Sequence, residues 1–64
     1  MTLTPRQVEI LQLIADGKTA SEIAFALGIS ILTVKNHLVG VRHRLDAFSS
    51  AQAVAIGIRK GLIK

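Results

Sequence analysis

The hydrophobic positions of the chain follow the period of a helix. In the middle of the sequence, apolar residues recur at spacings of three and four: Val34, Leu38, Val41 and Leu45. Residues at these spacings lie on one face of an α-helix, so this segment is predicted to be a helix with one buried stripe. A half-buried strand would alternate between apolar and polar residues, and the sequence contains no such run. The pattern predicts an all-α fold.

Capping patterns mark where the predicted helices begin. A Ser or Thr followed three residues later by Gln or Glu forms a capping box, in which each side chain accepts a hydrogen bond from the other residue's backbone N–H. The sequence contains three such pairs: Thr4 with Gln7, Thr19 with Glu22, and Ser49 with Gln52. Ser30 can cap a further helix in the same way, through its hydroxyl oxygen.

Glycines mark where the helices end, because glycine adopts the left-handed backbone that follows many helices at little cost. Gly17, Gly28 and Gly61 take such positions, and Asp46 takes the equivalent position after the third helix. The prediction is one compact four-helix domain over residues 1–64, with helices at about 5–16, 20–27, 31–45 and 50–60.

Composition narrows the class of protein. A chain of 64 residues that is 50% hydrophobic leaves little room for a substrate cleft beside its core, so an enzyme is not expected. The absence of cysteine excludes disulfides, thiolate metal sites and a cysteine nucleophile. No signal peptide or membrane span is evident, and we expect a cytoplasmic protein. The two aromatic residues, Phe25 and Phe48, are predicted to be core or staple residues.

Residues 20–39 have the spacing of a helix-turn-helix. That motif needs two short helices that cross at a steep angle over a tight turn. Ala24 is small where the helices would cross, Gly28 stands at the turn, and Val34 faces the core. Further apolar residues complete the predicted buried patch of the motif: Ile23, Leu27, Ile29 and Leu38.

The third predicted helix has the charge distribution of a DNA-binding helix. No acidic residue lies between Glu22 and Asp46, although the formal net charge of the chain is only +4. The side opposite the apolar stripe carries five residues: Leu32, Asn36, Val39, Gly40 and His43. Basic and hydroxyl residues flank this side: Lys35, Arg42, Thr33 and Arg44. A helix of this kind can lie in the major groove between two rows of phosphates.

Side-chain chemistry suggests a role for each of these residues. Asn36 can pair with the N6 and N7 atoms of adenine, and Lys35 can reach a guanine edge or a phosphate. Val39 can touch a thymine methyl group, with a lone exposed valine as the alternative. The residues suited to phosphate are Ser30, Thr33, Arg42 and Arg44, with His43 facing phosphate or solvent.

Neither a metal site nor a nucleotide site is expected. His37 and His43 point away from each other, and no third ligand is near in the sequence. Gly17, Lys18 and Thr19 imitate the end of a phosphate-binding loop, but Gln12 stands where its first glycine belongs. No cofactor is predicted.

The last predicted helix suggests a homodimer. Ala51, Val54 and Ile58 share the face that is expected to pack into the core, and Ile56 points nearly opposite. An apolar residue amid small ones suits close approach of a second helix across a two-fold axis. The predicted dimer interface consists of Gln52, Ala53, Ala55, Ile56 and Arg59.

These motifs together resemble the LuxR/GerE-type helix-turn-helix family. The resemblance covers nearly the whole chain and rests on eight segments: Leu3 to Arg6, Glu9 to Leu11, Ile14 to Lys18, Glu22 to Ala24, Leu27 to Ser30, Thr33 to His37, Ala53 with Val54, and Gly61 to Ile63. It implies a bacterial transcription regulator, associated with the nucleoid, whose third helix enters the major groove. It also implies base contacts from Lys35, Asn36 and Val39, and a dimer interface on the last helix.

Two hypotheses about function follow. The first is a sequence-specific regulator of transcription that binds double-stranded DNA as a dimer. The second arises because Ile31 and Leu32 stand where the family usually has polar residues. It is a protein-interaction module that contacts RNA polymerase or another regulator through Ile31, Leu32 and Val39.

Overall fold

Four α-helices make up the fold of residues 3–64, the part of the chain that the computed structural model describes. They are α1 (Pro5–Ala15), α2 (Ala20–Leu27), α3 (Ile31–Leu45) and α4 (Ser50–Arg59). Each bound lies within one residue of its prediction, and the all-α prediction is confirmed. α1 and α3 each pack against the other three helices, in a body of 28 × 19 × 19 Å.

The first two predicted capping boxes are confirmed. The Thr4 hydroxyl accepts the Gln7 N–H at 3.1 Å, and the Gln7 side chain accepts the Thr4 N–H at 2.9 Å. Thr19 and Glu22 form the same pair of bonds before α2, at 3.1 and 2.8 Å. Hydrogen bonds from Thr19, chiefly from its backbone N–H, lower the pKa of the Glu22 carboxyl group.

The third predicted capping box, before α4, is only half present. Ser49 accepts the Gln52 N–H at 3.1 Å, as predicted. The Gln52 side chain, however, accepts the N–H of Phe48 at 2.6 Å rather than that of Ser49. The return bond therefore reaches one residue further back and ties the α3–α4 connection to the first turn of α4.

A steep bend separates α2 from α3. The two helices meet at 110°, within the range of a helix-turn-helix. Gly28 has a φ of 68° at the turn, and the N–H of Ile29 donates to the Ala24 carbonyl at 3.0 Å.

No single helix of residues 3–64 is long and apolar enough to cross a membrane. Only α2 and α3 together reach that length and hydropathy, across this bend.

The core consists of two clusters, and α1 and α3 contribute to both. The cluster beside α2 contains Ile10, Ile23, Ala24, Val34 and Leu38. The cluster beside α4 contains Leu3, Leu11, Val41, Leu45, Ala53 and Ile63. The predicted stripe of α3 is therefore buried, with its first half in one cluster and its second half in the other. Because the same two helices connect the clusters, the position of α3 is fixed along its whole length.

Two predictions about burial are wrong. Phe25 and Phe48 are 92% and 94% exposed, so neither belongs to the core. Phe25 lies on the side of α2 away from Ile23 and Ala24, which are buried. Phe48 lies in the connection before α4.

The buried face of α4 also differs from its prediction. Ala53 is fully buried and Gly57 is buried, whereas Ile58 is 49% exposed. A Cβ atom on Gly57 would lie 3.1 Å from side-chain carbons of both Leu11 and Ile63. Glycine thus allows α4 to approach α1 closely, and this approach sets the rotation of α4. Ile56 is half-buried against the same cluster rather than opposite the core.

Candidate nucleic-acid interface

α3 presents one face to solvent along most of its length. Its buried stripe faces the two clusters, so the residues on the opposite side point outward. We define the outward face of α3 as four exposed residues: Leu32, Asn36, Val39 and His43. Gly40, predicted to belong to this side, is half-buried. The Gln7 side chain lies so close to it that a Cβ atom at this position would be 2.9 Å from the Gln7 Nε2 atom.

All eight predicted DNA-binding residues lie on α3 or at its N-cap. Six of them are exposed: Ser30, Lys35, Asn36, Val39, His43 and Arg44. Thr33 and Arg42 are half-buried at the edges of the outward face. The structure therefore brings the predicted set onto one side of one helix.

Hydrogen bonds hold two hydroxyl groups in place at the start of α3. The Ser30 oxygen accepts the N–H of Thr33 at 3.0 Å, which caps the helix. The hydroxyl oxygens of Ser30 and Thr33 lie 2.8 Å apart and share a second bond. Both groups can also bond to a phosphate at the N-terminus of α3, where the helix dipole favours an anion.

A groove beside the outward face combines two cations with the starts of two helices. It has a volume of about 420 Å³, and we call it the basic groove. Its lining consists of Ala20, Lys35, Leu38, Val39, Arg42 and Ser50. Ala20 and Ser50 are the first residues of α2 and α4, where backbone N–H groups lack partners within the helix. The groove therefore offers two cationic side chains and two helix starts to an anion, beside the apolar side chains of Leu38 and Val39.

Sequence reasoning did not assign Ala20 and Ser50 to the site. They are uncharged, they lie outside α3, and they meet only through the packing of α2 and α4 around that helix. The available signal was the capping pattern, since each follows the Thr or Ser that caps its helix. That pattern marks a helix start but not which other groups face it.

A second, smaller concavity lies at the C-terminal end of α3. It has a volume of about 220 Å³ and is lined by Val39, Arg42, His43, Asp46 and Ala47. Arg42 and Val39 line both concavities, so the edge of the outward face is continuous from the basic groove to the end of α3. Asp46 places a carboxylate at that end and closes the acid-free stretch of sequence.

The residues that suggested other chemistry occupy structural positions. Within residues 3–64, no three His, Cys, Asp or Glu side chains lie together as metal ligands would. A helix, α1, precedes Gly17, Lys18 and Thr19, where a phosphate-binding loop would follow a strand. Thr19 uses its hydroxyl to cap α2 instead.

The residues predicted for a dimer interface do not share one surface. Gln52, Ala55 and Arg59 are exposed, but Ala53 has no accessible surface and Ile56 is half-buried against the core. The prediction is wrong for Ala53, because its side chain is used within one copy of the chain. The exposed apolar residues of α4 are instead Ala51, Ala55 and Ile58.

Comparison with known proteins identifies the family. Residues 1–56 match the GerE family, described as bacterial regulatory proteins of the luxR family. The chain is 50% identical over 62 residues to RpaR of Rhodopseudomonas palustris, an HTH-type quorum sensing-dependent transcriptional regulator. The match covers 97% of this chain and 26% of RpaR. The relatives are named as transcriptional regulators, which agrees with the prediction of a regulator rather than an enzyme.

Two solved structures share the fold. The transcription factor GerE superposes with a TM-score of 0.93 at 32% identity, over 97% of this chain and 92% of that one. VqmA of Vibrio cholerae, in a complex with ligand and DNA, gives a TM-score of 0.89 at 34% identity, over 97% of this chain and 27% of that one. VqmA is also described as a dimer.

The extent of these matches differs between the proteins compared. The chain spans about a quarter of the length of RpaR and VqmA but nearly all of GerE. The family, the fold and the helix-turn-helix angle agree with one another. The chain belongs to the LuxR family of bacterial regulatory proteins, and residues 3–64 have the GerE-like helix-turn-helix fold of that family.

Proposed function

We propose that the chain binds double-stranded DNA sequence-specifically and regulates transcription, with α3 in the major groove. The observation that carries this proposal is the outward face of α3, which lies beside the basic groove and in a stretch without acidic residues. An α-helix fits the width of the major groove, where each base pair presents a distinct pattern of donors and acceptors. Family membership supports the same function.

The basic groove and the outward face of α3 have different roles in this proposal. Lys35 and Arg42 in the basic groove, with the first turns of α2 and α4, bind the phosphates of one strand. Ser30 and Thr33 contact the backbone at the start of α3, and Arg44 and His43 contact it towards the end. These contacts set the register of α3, and Asn36 and Val39 then meet the edges of the bases.

Replacing Arg42 by Ala is expected to weaken binding to all duplexes about equally. Loss of one phosphate contact releases one cation fewer on binding, so the slope of log affinity against log salt becomes shallower by about one. The measurement is a salt titration of binding to a selected duplex and to a scrambled duplex.

The matched control is Lys60→Ala, which removes the same charge at the end of α4 away from Ser50. Lys60 lies about 15 Å along the helix from the basic groove. The salt slope of this control should stay closer to that of the unsubstituted chain. An unchanged slope for Arg42→Ala, or an equal change in both variants, would contradict the phosphate assignment.

We further propose that two copies associate through α4 on DNA. The supporting surface consists of Ala51, Ala55 and Ile58, with the polar Gln52 and Arg59 beside it. Small residues around one exposed isoleucine let two helices approach closely about a two-fold axis. The two α3 helices would then enter successive major grooves, about 34–36 Å apart.

Replacing Ile58 by Glu is expected to reduce self-association and to remove cooperative binding to a duplex with two half-sites. Each copy would bury one carboxylate against its symmetry mate, which is unfavourable without a paired cation. Sedimentation velocity and binding isotherms measure the two effects. Phe25→Glu, at a more exposed apolar position on α2, is the control. Unchanged association of Ile58→Glu would exclude this surface.

The alternative function, contact with RNA polymerase or another regulator, is supported by the exposure of Ile31 and Leu32 at 44% and 67%. It uses the same side of α3 as DNA binding, so the two are alternatives for that surface. Retention on random duplex DNA that falls steeply with salt favours DNA. Retention that is absent at low salt favours the protein partner.

A further inference from the structure

Two of the four residues on the outward face of α3 are apolar, although cations border this face. Leu32 is 67% exposed and Val39 is 46% exposed, and Asn36 lies between them on the helix. Contact between large apolar side chains and water is unfavourable, so a partner that covers them gains binding free energy. The cationic lining of the basic groove, Lys35 and Arg42, identifies a polyanion as the complementary partner.

Major-groove chemistry restricts which bases suit this face. Thymine alone presents a methyl group there, and adenine presents the N6 donor and N7 acceptor that an Asn side chain pairs with. Guanine and cytosine present O6, N7 and N4 groups, which an apolar side chain would desolvate without a hydrogen bond. Leucine and valine therefore favour T·A pairs and disfavour G·C pairs.

The spacing along α3 matches the spacing of base pairs. Leu32 and Val39 are seven residues apart, which is two helical turns or about 10.5 Å. Because a helix in the major groove lies obliquely to the DNA axis, this distance corresponds to about two to three base-pair steps of about 3.4 Å each. Asn36 is four residues from Leu32, about 6 Å along the axis, and so lies between the two contacts.

We infer that α3 selects a T·A-rich half-site: Leu32 and Val39 contact the methyl groups of two thymines about two or three base pairs apart, and Asn36 pairs with an adenine between them. The inference rests on the proposed DNA binding and adds the base composition of the site. It assigns Leu32 as a specificity residue, which neither the charge pattern nor the resemblance had singled out for base contact.

Deoxyuridine substitution tests the inference, because uracil differs from thymine only by the 5-methyl group. A duplex selected from random sequences by the 64-residue chain is resynthesised with each thymine replaced in turn. At two positions two or three base pairs apart, uracil should weaken binding about fourfold, the effect of losing one buried methyl group. Leu32→Ala should abolish the effect at one position, and Val39→Ala at the other.

Phe25→Ala is the matched control, since it removes an exposed apolar side chain from α2 and should retain both uracil effects. If binding to the selected duplex depends on salt but its affinity is unchanged by every uracil substitution, the inference is overturned while the proposed DNA binding is retained. Equal uracil effects in Leu32→Ala, Val39→Ala and the unsubstituted chain would overturn it as well. Absence of salt-dependent binding to any duplex would overturn both the inference and the proposed function.

Discussion

Replacing Lys35 and Asn36 together by alanine is expected to weaken DNA binding and to reduce its sequence preference while the domain stays folded. Both side chains are exposed on α3, and alanine has a higher helix propensity than either residue, so the free energy of unfolding should change little. A base contact contributes about 1–3 kcal/mol of discrimination, or roughly five- to 150-fold. Asn36 is the base contact of this pair and Lys35 contacts phosphate, so the preference for a selected duplex over a scrambled one should fall roughly five- to 150-fold, and the affinity for both duplexes should fall as well.

Mobility-shift titrations on the two duplexes measure this preference, and circular dichroism confirms that the fold is intact. The matched control is Phe25→Ala with Phe48→Ala, which also truncates two exposed side chains but leaves α3 unchanged. This control should keep the preference of the unsubstituted chain. If the Lys35 and Asn36 double variant also keeps it, α3 does not read the site through these residues.

The second large effect is expected for Leu11→Ala, which should unfold most of the domain at moderate temperature. Leu11 has no accessible surface and packs with Val41, Leu45 and Ile63 in the cluster beside α4. Truncation of a buried leucine costs about 2–5 kcal/mol. A core of this size supplies about 3–5 kcal/mol in total, so one such cavity removes most of the stability.

Urea and thermal unfolding measure the loss, followed by circular dichroism at 222 nm. Phe48→Ala is the control, because it removes a larger side chain that is 94% exposed and should shift the free energy of unfolding by less than about 0.5 kcal/mol. A midpoint of Leu11→Ala close to that of Phe48→Ala would contradict the described core.

Capping residues explain why the helix bounds could be predicted. Thr4, Thr19 and Ser30 each accept the N–H that lies three residues on, and the left-handed Asp46 ends α3 with a φ of 56°. These signals are local, because the bonds join residues that are near one another in the sequence. The stripe of α3 is equally clear in the sequence, since Val34, Leu38, Val41 and Leu45 recur at helical spacing.

The face of α4 could not be predicted, because small and apolar residues surround that helix. Ala53 and Ile58 are equally plausible core residues by hydrophobicity, and the structure buries only the first. What decides between them is Gly57, where α4 approaches Leu11 and Ile63. This close approach depends on the packing of α1, α4 and the C-terminal residues together, and the hydrophobic pattern of α4 alone cannot predict it.

The aromatic residues were misplaced for a different reason. Residue type predicts that Phe25 and Phe48 are core or staple residues, but their positions in α2 and in the α3–α4 connection leave them exposed. Within the candidate site, the members on α3 followed from one helical pattern. Ala20 and Ser50 required the tertiary arrangement, which brings the starts of α2 and α4 to the same groove.

The most direct test of the central claim is to map backbone amide chemical shifts while the 64-residue chain is titrated with a selected duplex. The account predicts the largest changes along the outward face of α3, at Leu32, Asn36 and Val39, with further changes at Ala20 and Ser50. The amide of Phe25, on the outer side of α2, should change little. Largest changes around Phe25 or on α1, with α3 unaffected, would contradict the account.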